Sequence, residues 1–167
     1  MSQAYPFRMP TETGSRVWTA SVLAGLVAGI AMGLVMQFVM NAMPLIGALI
    51  GQPTVVGGWV LHLVISVVFA LAFAAIVTRT SLSRYGRTTL GMVGLGLAYG
   101  AVLTVVAGWF ALPIWANAVG AGPLPVPLLI PMGVVTHLLY GAVLGGVYAY
   151  ARGTTESTPT EEAEIPA

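Results

Sequence analysis

GWVLHLVISVVFALAFA, residues 58–74, and GVVTHLLYGAVLGGVYA, residues 133–149, decide how this chain folds. Neither carries a charged side chain, and each lies inside an apolar run long enough to cross a hydrocarbon core of about 30 Å at about 1.5 Å per residue. Written one above the other, they place His62 on His137, Ser66 on Gly141, Ala70 on Gly145 and Ala74 on Ala149, an offset of 75. The runs that precede them match as well: Gly25-x-x-x-Gly29 corresponds to Gly96-x-x-x-Gly100, an offset of 71. The change of offset adds four residues to the second outer connection.

Four spans follow, at about 17–40, 57–78, 89–112 and 128–151. The fold expected is all-α, a four-transmembrane-helix bundle built from two parallel-repeat helical hairpins. A pair of spans per repeat returns the chain to its starting side, so both copies insert in the same direction about an axis along the membrane normal. A barrel would need alternating segments of about ten residues, and none is seen.

Composition supports this. Mean hydropathy is +0.92 and 7% of residues are charged, against about 25% in a soluble domain. The chain has 167 residues and no Cys, which excludes disulfides, thiolate metal sites and a Cys nucleophile. A net charge of +1 gives no basic patch for nucleic acid. The first apolar run is far longer than the 7–15 residues of a signal-peptide core, so no cleaved leader is expected.

Charge sets the orientation. Arg8 and Arg16 precede the first span, Arg79, Arg84 and Arg87 lie between the second and third, and Arg152 follows the fourth. The other two connections are uncharged. Basic residues stay on the cytoplasmic face, which predicts a multi-pass plasma-membrane protein with both termini inside. Residues 1–16 read as a short cytoplasmic lead. Residues 152–167 read as a disordered acidic tail that holds four of the five carboxylates, Glu12 being the other.

The outer connections, 41–56 and 113–127, are nearly as apolar as the spans, yet their Gly and Pro residues should break any regular helix. Such backbone is tolerated at membrane depth where protein or a cavity satisfies it. They are read as folded over the bundle, or as lining an entrance beneath. Trp59, Trp109 and Trp115 mark the outer boundary, and Trp18, Tyr148 and Tyr150 the inner one. Gly25, Gly29, Gly33, Gly96, Gly100, Ser66, Gly141 and Gly145 are assigned to close helix packing, because small residues four apart let backbones approach.

His62 and His137 carry the functional question, since ionisable side chains at membrane depth are rare. Small residues at i+4 and i+8 share the face of each histidine, so both imidazoles are expected to point into the bundle. The simplest reading is that each satisfies itself by a hydrogen bond, with no cofactor. The alternatives are axial ligation of a haem b between the second and fourth spans, or a copper site. For copper, Met40 and Met43 are the candidate partners, at the outer end of a Met32, Met36, Met40, Met43 stripe, because thioethers select Cu(I). The stripe also reads as adaptable core filler. Histidines near the outer surface could also relay protons or bind a quinone head group, although without an intramembrane Asp or Glu a full proton path is hard to draw. No nucleotide loop, Ser-His-Asp set or HExxH motif is present, so no enzyme is expected.

Gly58, Trp59 and His62 in the second helix, with His137, Tyr140 and Gly141 in the fourth, resemble an uncharacterised family of small four-span membrane proteins of archaea and bacteria. The likeness covers about residues 20–151. It implies a domain of unknown function, with some members encoded near respiratory oxidase genes and hence an accessory role. The function expected is a non-enzymatic accessory or assembly subunit of a larger membrane complex. Its partners would be the bilayer and another membrane protein or a second copy. The alternative is a haem- or copper-binding protein that uses both histidines.

Overall fold

The computed structural model describes residues 12–153; most of the lead and nearly all of the acidic tail lie outside the described residues. The elements are α1 (Glu12–Phe38), α2 (Met43–Ala48), α3 (Val55–Arg79), a 3-10 segment (Ser81–Arg87), α4 (Thr89–Leu103), a π segment (Thr104–Ala111), α5 (Leu112–Ala118) and α6 (Pro131–Arg152). Among the described residues every element is helical. Four stretches are long and apolar enough to cross a membrane: Arg16–Phe38, Val55–Arg79, Thr89–Ala118 and Pro131–Arg152. The fold is a four-helix bundle of the membrane type.

Local chemistry sets the ends. Thr54 caps α3 by accepting the Gly57 N–H at 3.0 Å, and Thr88 caps α4 by accepting the Gly91 N–H at 3.0 Å. Each satisfies a donor that the first turn leaves free. α6 opens with Pro131, which has no N–H to lose there, and closes on Gly153 at φ 70, a left-handed position that suits glycine. The first span ends at Phe38, short of the expected residue 40. Asn41 takes φ 50, and the Ala42 N–H turns back to the Met36 carbonyl at 2.9 Å.

The outer connections differ from expectation. They were expected to be irregular, yet α2 occupies part of the first, and the third span runs on through the π segment into α5 and ends at Ala118 rather than near 112. The reason lies in where the prolines stand. Pro44 falls in the first turn of α2, where a missing N–H breaks no helical bond, and Pro113 lies inside the continuous third span, where the Trp109 carbonyl four residues earlier accepts the Leu128 N–H at 2.9 Å instead.

Helix pairing follows the small residues. On α1, a Cβ at Gly25 would press on Ala70 and one at Gly29 on Ser66, while one at Gly33 would lie 2.5 Å from Trp59 Cζ3. Residue numbers rise on one helix as they fall on the other, so α1 and α3 are antiparallel. On α4, a Cβ at Gly96 would strike the Gly141 carbonyl and approach Gly145, and one at Gly100 would strike the His137 carbonyl. α4 and α6 are therefore antiparallel too, and backbone meets backbone. Where lipid removes the hydrophobic drive, such close contact is the main source of association.

The two hairpins join along α1 and α6, but α3 and α4 do not pack on one another in the same way. Side chains bridge them. Tyr99 on α4 donates to the Phe69 carbonyl on α3 at 2.9 Å, and Phe73 meets Tyr99 and Tyr148 at ring centroid distances of 5.4 and 5.8 Å. This aromatic layer closes the half of the bundle nearest Arg79 and Arg152. Above it, toward α2 and α5, the space between α3 and α4 stays open.

Candidate functional site

That open space is a cavity of about 160 Å³. α1 contributes Met32 and Met36, α3 contributes His62, Ser66 and Phe69, and α6 contributes His137 and Tyr140. Ile46 and Leu49 from the α2 region, and Leu112 and Trp115 of α5, form its roof. Both outer connections thus cover the cavity. Its remaining wall, the end of α4 and the π segment, is thinned at Leu103, Ala107, Gly108 and Ala111, three of them small.

The two histidines are held differently. His62 Nε2 donates across to the Gly29 carbonyl of α1 at 2.9 Å. A carbonyl can only accept, so Nε2 carries the proton and, in the uncharged ring, Nδ1 carries a lone pair. The Trp59 ring stands edge-on to the imidazole, with centroids 6.2 Å apart. His137 stays within its own helix, where Nδ1 donates to the Gly133 carbonyl at 2.7 Å and leaves the lone pair on Nε2. Gly108 of the π segment makes room for this ring, since a Cβ there would sit 3.1 Å from His137 Cε1.

The cavity hydroxyls are also committed as donors. Tyr140 Oη donates to the Ser66 carbonyl at 2.5 Å, linking α6 to α3. Ser66 Oγ donates to the His62 carbonyl at 2.8 Å. What the cavity offers a guest is therefore a set of acceptors: two imidazole nitrogens, two hydroxyl oxygens and the soft sulfurs of Met32 and Met36.

The sequence-nominated residues separate here. His62, His137 and Ser66 line the one cavity, while Gly25, Gly29, Gly33, Gly96, Gly100, Gly141 and Gly145 lie at helix contacts. Met40 and Met43 are not among the cavity's lining residues. α1 has already ended before Met40, and Met43 belongs to α2, where its backbone abuts Gly58. The methionines that line the cavity are one and two turns earlier on α1. Tyr140 was within reach of helical spacing, three residues beyond His137 on the same face. Gly108 and Trp115 were not, because nothing in the sequence signals the π segment. Among the described residues, no group of three or more His, Cys, Asp or Glu side chains could hold a metal ion.

No protein-family model, no curated protein and no solved structure matches this chain.

Proposed function

We propose that this is a non-enzymatic, multi-pass protein of the plasma membrane with both termini inside, built from two hairpins copied in the same direction. Its role is that of an accessory or assembly subunit of a larger membrane complex, a respiratory one on the strength of the family resemblance. The matched contacts support the duplication: Gly25 with Ala70 and Gly29 with Ser66 in one hairpin, Gly96 with Gly145 and Gly100 with Gly141 in the other. The five described arginines fall at one end of the helices, which supports the orientation.

One observation carries the accessory role. The bundle covers half of the first span but only 28% of the third and 33% of the second, so the outward faces of α3 and α4, away from the space between them, are left for a neighbour. The test is purification of a tagged chain in mild detergent, followed by identification of associated proteins. A stable membrane partner is expected, lost when Val64 and Val102 on those faces are both replaced by Trp. Elution alone, with the same behaviour after substitution, rejects the role.

The second reading, a metal or haem site, draws on both histidines lining one cavity. The residues do not fit a haem. The volume is close to the ~150 Å³ engineered cavity that takes benzene, far less than a macrocycle needs, and His62 Nε2 is already engaged. Copper is the remaining form, with His137 Nε2 and the sulfurs of Met32 and Met36 as soft donors. Elemental analysis of the purified protein tests it.

A further inference from the structure

We infer that the cavity is a binding site for a lipid-dissolved phenol, a ring bearing a hydroxyl donor such as the head group of a hydroquinone, whose tail leaves between α3 and α4. The inference rests on the membrane placement proposed above, which topology measurements test separately.

Three features lead to it. The first is polarity. Every O–H and N–H on the side chains of His62, Ser66, His137 and Tyr140 is already donated to a backbone carbonyl. Their remaining lone pairs have no protein partner among the described residues, so these four side chains can accept hydrogen bonds but have none to give. A ketone or an oxidised quinone brings only acceptors and would leave them unpaired; a phenol brings the missing donor. Unpaired buried polar groups are what allow a site to reject an isostere strongly.

The second feature is size. About 160 Å³ is far more than a bare ion occupies but suits one six-membered ring. The walls match, with Phe69, Trp115, Ile46 and Leu112 around a few polar atoms, the usual make-up of a small-molecule pocket. The third is access. α2 and α5 roof the cavity, whereas the α3–α4 side is walled by Ile65, Phe69, Ala107 and Gly108, each only partly covered. A guest with a hydrocarbon tail enters from lipid there and leaves the tail in it.

The test uses the full chain in detergent micelles and a pair of probes, para-octyl phenol and its methyl ether. They share ring and tail, and the ether lacks the donor. Titration calorimetry, with empty micelles subtracted, should show the phenol binding about tenfold or more tightly than the ether. Gly108→Leu, which fills the cavity beside the His137 ring, should abolish binding of both. His137→Phe, which removes one of the acceptors, should narrow the gap between phenol and ether. If that variant does not fold, the comparison on the unaltered chain still decides. Equal affinities for the two probes overturn the proposal, as does phenol binding that survives Gly108→Leu. One tightly held Cu(I) per chain that excludes the phenol also overturns it, in favour of a metal site.

Discussion

His62 on α3 and Gly29 on α1 are tied by a hydrogen bond of 2.9 Å, and this bond ranks the two histidines energetically. It joins separate helices, whereas His137 bonds only to Gly133 of its own helix. Interhelical bonds in membranes average about 0.6 kcal/mol and reach about 1.7. His62→Ala also removes a ring packed against Trp59 and Gly33. It should lower unfolding free energy by roughly 1–3 kcal/mol in bicelles titrated with a denaturing detergent. His137→Ala should cost less than half as much. Equal losses would mean that the cross-helix bond contributes nothing.

Gly96 and Gly141 should be intolerant of any side chain, because a Cβ on either meets the other's carbonyl. Gly96→Val forces α4 off α6 and should cost about 3 kcal/mol or more, at the upper end for overpacking. Gly94, two residues away, faces open space, so Gly94→Val should leave stability almost unchanged. Thermal melting of the two variants side by side checks this, and the contrast fails if both melt alike.

The Tyr140 hydroxyl pins α6 to α3 through the Ser66 carbonyl. Tyr140→Phe keeps the ring and should cost about 1 kcal/mol, the net worth of one such bond. Ser66→Ala should cost less, since Ser66 Oγ bonds only within its own helix. A reversed order in denaturation measurements would contradict this arrangement.

The chain has no native cysteine, so single cysteines report orientation cleanly. An impermeant maleimide added to intact cells should label Ala121→Cys in the outer connection. It should reach Ser83→Cys, in the arginine-bearing 3-10 segment, only after permeabilisation. The opposite pattern would invert the bundle and remove the basis for an internal location of both ends.

Much of this fold is legible in the sequence. The spans stand out because Arg16, Arg79 and Arg152 bracket uncharged runs, and the helix pairs because Gly25, Gly29, Gly96 and Gly100 leave no side chain to keep backbones apart. The α2 and α5 helices were hidden by Pro44 and Pro113, which look like breakers unless one is known to open a helix and the other to have the carbonyl it orphans taken by Leu128. The cavity's shape was hidden for another reason. Matched sequences suggest matched interfaces, but α1 closes on α6 whereas α3 holds off from α4, and that difference lives in tertiary packing. The committed donors of His62 and His137 were equally out of reach. They depend on Gly29 and Gly133 offering carbonyls at the right places, which no residue identity encodes.

The gap beside Ile65 and Gly108 changes what concentration means for this protein. A compartment roofed by Ile46 and Trp115 exchanges its contents sideways, so occupancy follows the mole fraction of solute dissolved in the bilayer rather than its level in water. A greasy compound scarcely detectable in the aqueous phase can then saturate the compartment, and dilution with extra lipid empties it when dilution with buffer does not.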